Sequence, residues 1–166
     1  MGSNGRTATV ITVSDRSAAG ERQDVSGPTG AGLLAEAGWE CALTVVPDER
    51  DAIATAILAA VERGDALVVT TGGTGLGPRD VTPEATAPLL DKPIPGLAER
   101  LRAIVADTLP ASLLSRGVAG LRERTLIVNL AGSPGAVRDG MPVILSVAAH
   151  VAEQVSGTDH HGGDTA

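Results

Sequence analysis

Two kinds of apolar pattern alternate along the chain. Short β-branched and aliphatic runs at Thr7 to Val13, Glu40 to Val46, Ala66 to Thr71 and Thr125 to Leu130 predict strands. Between them, apolar positions recur every three or four residues and predict helices. One opens at Ser26-Gly27-Pro28, runs through Leu33 and Leu34, and stops at Gly38. Ala52 to Glu62 predicts another, with Ile53, Ile57, Leu58 and Val61 at helical spacing and Gly64 beyond its end. Further helices are predicted from Leu97 to about Thr108 and from about Pro142 to Val155, the last striped by Val143, Val147 and Val151. Strand and helix alternate through the first three strands. Right-handed crossovers then give a parallel sheet with helices on both faces. The expected fold class is α/β: a three-layer sandwich around a mostly parallel central sheet.

Prolines and glycines punctuate this frame. Thr82 and Pro83 read as N-cap and first residue of a helix that Pro88 should end or kink. Lys92-Pro93-Ile94-Pro95-Gly96 reads as a rigid connection, Pro110 to Arg116 as a turn, and Gly117 to Gly120 as a turn or short strand. Ser133 and Pro134 again read as N-cap and first helical residue. No repeat and no linker divides residues 7–156, which are expected to form one domain between flexible termini at 1–6 and 157–166.

Composition narrows the core and the partners. A chain of 166 residues suits one domain, burying roughly 70% of its unfolded surface. Hydrophobic residues make up 43% but aromatics only 1%, so Ala, Val, Leu and Ile must fill the core around Trp39, the sole aromatic. The formal net charge of −7 argues against nucleic-acid and anionic-membrane partners. A polyanionic substrate must then be met locally, by backbone amides, a metal or arginines. Cys41 is the single cysteine and is expected to be buried and inert. No signal peptide or membrane-length apolar run is visible, so a cytoplasmic protein is expected. His150 reads as a surface or interface residue, and His160 and His161 as part of a solvated tail.

The unusual polar residues collect just after strands. Ser14 and Asp15 follow the first, Asp48 the second, and Ser133 the last. The third strand runs into Gly72-Gly73-Thr74-Gly75-Leu76-Gly77-Pro78-Arg79-Asp80. Strand, glycine-rich turn, helix is a phosphate-holding arrangement, because glycines let consecutive N–H groups point into one concavity. The helix start adds orphan donors and a positive dipole end. It is not a Walker A loop, as no Gly-Lys-Ser/Thr follows. Asp80 beside such a nest would repel phosphate unless a divalent cation, such as Mg²⁺, lies between them. Carboxyl ends of parallel strands share one edge of a sheet, so Asp48 and Asp80 can face each other there. Two carboxylates near a phosphate nest suit Mg²⁺-assisted transfer. A plainer role is also open, in which both aspartates cap helices, or Asp51 caps in place of Asp48. No Ser/His/Asp or Cys/His constellation supports covalent hydrolysis.

These residues resemble the Mog/MoaB family of molybdenum-cofactor biosynthesis proteins, including the gephyrin- and Cnx-type G domains. The matching segments include Ser14-Asp15-Arg16, Pro47-Asp48, Thr71-Gly72-Gly73-Thr74-Gly75, Pro78-Arg79-Asp80-Val81-Thr82-Pro83-Glu84-Ala85, Leu114-Ser115-Arg116 and Asn129-Leu130-Ala131-Gly132-Ser133-Pro134. The resemblance implies a molybdopterin-binding fold, usually trimeric or hexameric. It implies transfer of AMP from ATP to the terminal phosphate of molybdopterin, with Mg²⁺, and a downstream molybdate-insertion enzyme as partner. A non-catalytic MoaB-like binding or scaffold protein is the alternative it leaves. Asp48 and Asp80 fall on the family's two acidic active-site positions, which would also hold the metal. Gly72, Gly73, Thr74 and Gly75 fall on its nucleotide-phosphate loop. Ser14, Asp15, Ser115, Arg116, Gly132, Ser133 and Pro134 are carried over as substrate-binding positions. Two departures stand out: Ala131 where the family usually has Pro, and Pro88 within a helix that relatives continue.

Overall fold

A computed structural model describes residues 6–157. Six strands form one sheet in the order β2-β1-β3-β6-β5-β4. The four strands read from the sequence, β1 (Thr7–Val13), β2 (Glu40–Val46), β3 (Leu67–Thr71) and β6 (Thr125–Leu130), are all parallel. The near-continuous apolar runs of β1, β3 and β6 are what strands covered on both faces require, while β2 is a largely exposed edge. Alternate residues split between two cores, as the two-residue period of a strand dictates. Val10, Leu67, Val69, Leu126 and Val128 face one side with Met141 and Ile144, while Ile11, Val68 and Ile127 face the other with Ile53 and Ile57. The fold is therefore the expected mixed α/β sandwich, with helices α2 (Ser26–Glu36), α5 (Pro95–Ala103) and α6 (Pro134–Ser156) against α3 (Arg50–Glu62) and α4 (Thr82–Thr86).

Several expected elements change. Residues after Ser14, for which the apolar pattern predicts no element, form a short helix, α1 (Asp15–Ala18), with the Ser14 hydroxyl accepting from the Ser17 N–H at 3.2 Å. Gly117–Gly120 and the proline-rich connection supply two antiparallel strands, β5 (Ala119–Arg122) and β4 (Lys92–Pro93). The β5–β6 turn places Glu123 at φ 52°, and the Asp91 carboxylate accepts its N–H at 2.7 Å. Helix α5 ends earlier than expected, at Ala103, and irregular turns follow.

The helix that Ser133 and Pro134 open runs on to Ser156 as one element, so no separate helix begins near Pro142. Pro142 lacks an N–H and would ordinarily break a helix interior. Here the buried stripe Val137, Met141, Ile144 and Ala148 packs on the sheet across the proline and carries the helix through. Pro88 acts as expected, since α4 gives way to a 3-10 turn at Ala87–Leu89.

Cys41 lies half-buried on the edge strand β2, and burial pushes its thiol pKa up, away from the reactive thiolate. His150 sits on α6 within 2.9 Å of the Gln154 amide. Among the described residues no helix is long and apolar enough to cross a membrane. The termini expected to be flexible, and His160 and His161 with them, fall outside the described residues except for Arg6 and Gly157. Arg6 stacks its guanidinium 5.9 Å from the Trp39 ring centroid.

Gly32 is an exposed position inside α2 with open space around a built Cβ. Gly32→Ala is therefore expected to raise unfolding free energy by about 0.5–1 kcal/mol, since glycine is the weaker helix former. A urea titration checks this, and a lower midpoint would contradict it.

Candidate functional site

The carboxyl ends of β1, β2, β3 and β6 share one sheet edge, and their loops build the site there. The loop after β3 is the most constrained. Gly72 adopts φ 109° and Gly73 φ 68°, values that side chains with a Cβ seldom take. The Gly72 N–H continues the sheet to the Leu130 carbonyl at 3.0 Å. The Thr82 hydroxyl does not cap its helix, as the sequence suggests; it donates to the Gly72 carbonyl at 2.8 Å and fastens the loop to α4. The next three N–H groups, of Gly73, Thr74 and Gly75, have no acceptor among the described residues. The Leu76 N–H extends the run, and consecutive bare amides on a loop pinned at both ends are what an anion nest requires.

Asp80 closes the loop from the other side. Its carboxylate accepts the Gly77 N–H at 2.8 Å, which leaves its remaining lone pairs available. Arg116 holds the loop from beneath: its guanidinium donates to the carbonyls of Gly75 and Asp80, each at 2.9 Å, and to the Glu84 carboxylate. Its backbone N–H donates to the Thr74 carbonyl at 2.9 Å. Thus the cation expected to meet substrate is engaged with protein acceptors. Ser115 lies beside it, donating its hydroxyl proton to the Thr74 hydroxyl oxygen at 3.2 Å.

Asp48 stands on the β2 side of the same loop. A Cβ on Gly73 would come within 3.2 Å of its Oδ1. It is not a helix cap: the residue before α3 is Glu49, and neither Glu49 nor Asp51 caps with its side chain. Asp48 and Asp15 instead bond reciprocally, each backbone N–H donating to the other's carboxylate at 2.9 Å. Arg79 then grips Asp15 through two donors, both at 3.0 Å. That guanidinium, with the Asp48 N–H, holds the Asp15 carboxyl below the usual carboxylate range.

Asp48 is shifted the other way. Burial pushes its carboxyl pKa up, helped by the charges of Asp15 and Asp80, and the Asp15 N–H only partly offsets them. The folded form therefore holds the Asp48 proton more tightly than the unfolded chain does. Folding gains from that proton at low pH and loses the gain as pH rises through the raised value. At neutral pH the ionised carboxylate is a cost to the fold. Asp48→Asn keeps an oxygen for the Asp15 N–H and should raise Tm at pH 7 by about 1–3 °C, a screened effect below about 1 kcal/mol. The gain should vanish below about pH 4, where the wild-type carboxyl is also protonated. Calorimetry across this range checks it, and a lower Tm at pH 7 would contradict it.

On the β6 side the loop opens into a cleft of about 550 Å³. Its floor is Gly72–Gly75 and Asp80, with Ser115 and the loop Ala131–Gly132–Ser133 beside them. That second loop is fixed at two carbonyls: Thr71 donates to Ala131 at 2.9 Å and Ser26 to Gly132 at 2.7 Å. The 23-residue helix α6 begins at this space: Ser133, its N-cap, accepts from the Ala136 N–H at 3.1 Å and through its carbonyl from the Val137 N–H, which leaves the Gly135 N–H without an acceptor among the described residues. Ala98, Leu101 and Val105 line the wall from α5 and the turn beyond it, while Leu109 and Leu114 form an exposed apolar lip.

Of the residues singled out in the sequence, Gly72, Gly73, Thr74, Gly75, Asp80, Ser115, Gly132 and Ser133 line this cleft. Asp48, Ser14, Asp15, Arg116 and Pro134 surround it without lining it. The sequence does not reveal Arg102, which lines the cleft and donates to the Gly117 carbonyl at 2.9 Å, nor Asp139 on α6. Both come from helix positions whose side appears only once α5 and α6 are placed.

Residues 9–150 match the family model described as "Probable molybdopterin binding domain". A "Molybdenum cofactor biosynthesis bifunctional protein" of Synechococcus elongatus is 42% identical over 154 residues, covering 92% of this chain and 48% of the relative. The chain thus spans about half that protein's length. A "Molybdopterin adenylyltransferase" of Pyrococcus furiosus is 40% identical, with 86% of each chain covered. The crystal structure of a molybdopterin biosynthesis protein from Mycobacterium abscessus superposes with a TM-score of 0.87 at 47% identity, over 93% of this chain and 98% of that one.

Proposed function

The chain belongs to the molybdopterin-binding family, and from that membership and the cleft we propose that it transfers AMP from ATP to the terminal phosphate of molybdopterin. A phosphate oxygen of the pterin bonds to the α-phosphorus of ATP, the bond from that phosphorus to the bridging oxygen breaks, and pyrophosphate leaves with the electron pair. The attacking phosphate is ionised at neutral pH, so no strong general base is needed. The obstacle is repulsion between anions, ~4 kcal/mol per unit pair at 4 Å and an effective dielectric near 20.

The observation that carries this reading is the run of three unpartnered amides at Gly73, Thr74 and Gly75 beside Asp80. In this reading they receive nucleotide phosphate oxygens, and the start of α6, which also borders the cleft, adds the Gly135 N–H. Such donors already oriented in the resting protein stabilise developing charge without reorganising. Arg116, Thr82 and the Asp15–Arg79 pair keep the loop in that shape.

Asp48 and Asp80 form a donor set that fits Mg²⁺. Their charges act on one another, and no group of three His, Cys, Asp or Glu among the described residues could hold a metal ion by itself, so substrate oxygens would have to complete the site. Two carboxylates, with phosphate oxygens and water completing the shell, is how Mg²⁺ is commonly held. When bound there, the ion supplies neutralisation of the phosphate charge. The same reading carries a cytoplasmic setting, a molybdate-insertion enzyme as recipient of the product, and a homo-oligomer, trimeric or hexameric. Val25, Leu43 and Val45, exposed on and beside the edge strand β2, offer apolar surface for such an assembly.

Labelled ATP and molybdopterin, mixed with the protein and Mg²⁺, should give adenylyl-molybdopterin and pyrophosphate in equal amounts. Pterin binding with no ATP consumed would replace the transferase with a binding or scaffold role.

A further inference from the structure

Besides Asp80, the cleft is lined by a second acid that the proposed chemistry leaves unused. Asp139 stands on α6, between Ala136 and Gly140, which also line the cleft. Its side chain is exposed and has no hydrogen-bond or ion-pair partner among the described residues. The facing wall is close and apolar: a Cβ on Gly140 would come within 3.3 Å of the Leu101 side chain. A bare carboxylate in a cleft meant for phosphorylated substrates weakens anion binding unless a ligand brings donors to it.

The composition sharpens this requirement. Trp39 is the only aromatic residue and is buried in the core, so no ring in the cleft can orient a heterocycle by stacking. Leu101, Val105 and their neighbours can cover its faces, but they do not fix its rotation. Edge hydrogen bonds must do so, and Asp139 supplies two acceptor oxygens at that wall.

We propose that Asp139 recognises the pyrimidine edge of the pterin, its carboxylate accepting the 2-amino and N3–H protons, and so selects pterin over adenine at this end of the cleft. This rests on the function proposed above. A pterin presents two adjacent donors along that edge, which suits the paired oxygens of a carboxylate. Adenine presents its 6-amino donor beside the N1 or N7 acceptor, and one carboxylate oxygen would then meet a lone pair. The charge thus favours one substrate and disfavours the other.

The test uses the full chain as wild type, Asp139→Asn and Asp139→Glu, with molybdopterin binding followed by fluorescence and initial rates measured against each substrate. Asp139→Asn should weaken molybdopterin binding and raise its KM about 10- to 100-fold, the usual worth of a paired contact. Its KM for ATP should stay within about twofold, and Asp139→Glu should recover part of the loss. An unchanged molybdopterin affinity, or a rise in the ATP KM alone, would overturn the assignment. Wild-type protein that binds molybdopterin without turnover would end the transferase reading, and the binding titration would still decide Asp139. Wild type that binds no molybdopterin would overturn both.

Discussion

Replacing Asp80 with Asn is expected to lower AMP transfer by about 10³-fold or more, the scale on which loss of one transition-state-stabilising group is felt. The substitution isolates the charge. Asp80 accepts the Gly77 N–H through one carboxylate oxygen, and an amide oxygen can accept the same bond. Its backbone carbonyl remains the acceptor of Arg116, so the loop keeps its clasp. The variant should therefore melt within about 2 °C of wild type. What disappears is the negative group beside Gly73–Gly75, and with it half of the set proposed to hold the cation. Turnover of labelled ATP, measured alongside the melt, reads both consequences. Full turnover in the variant would remove Asp80 from the mechanism.

The largest effect on stability is expected from Gly72→Ala. Gly72 sits at φ 109°, outside the region that alanine occupies comfortably. A Cβ there would also stand 2.2 Å from the Val13 carbonyl oxygen. That carbonyl is backbone at the end of a buried strand, so it cannot swing aside as a flexible side chain would. Moving Gly72 is no easier, because its N–H bonds Leu130 and its carbonyl accepts from Thr82. Strain and overpacking together should cost about 3–5 kcal/mol, lowering Tm by roughly 10–15 °C. A melt within about 3 °C of wild type would show that the loop is far more plastic than its hydrogen bonds suggest. The contrast with Gly32→Ala, expected to stabilise, separates a glycine required by geometry from one that is not.

The parallel half of the fold is legible because burial on both faces leaves β1, β3 and β6 little choice of residue, and the exposed edge strand β2 still carries a β-branched run. β1, β2 and β6 carry the bounds that their β-branched runs predict. The antiparallel edge is hidden for the opposite reason. β4 has two residues and contains a proline, and the β5–β6 turn is Glu123-Arg124, without the Asn or Gly that marks a tight hairpin. Asp91 supports that turn from 32 positions away, which no local pattern can announce. Ser133 and Pro134 announce the start of α6, but its continuity is obscured because Pro142 resembles a second helix opening, whereas tertiary packing overrides it.

The site divides along the same line. The glycine loop, Asp80 and Ser133 are readable as local chemistry after strands. The Asp15–Asp48 exchange and the Arg116 clasp depend on which loops the sheet order brings together. Arginine type alone suggests a phosphate ligand, yet the fold gives Arg79 a carboxylate and Arg116 two carbonyls and a carboxylate. Sequence pattern shows where polar chemistry gathers; packing decides which groups remain free for a ligand.

The most direct measurement is a crystal structure of the protein with a non-hydrolysable ATP analogue and Mg²⁺. Phosphate oxygens should lie within hydrogen-bond distance of the Gly73, Thr74 and Gly75 N–H groups, and one cation should touch both Asp48 and Asp80. Phosphates bound elsewhere, with those three amides still facing water, would contradict the account.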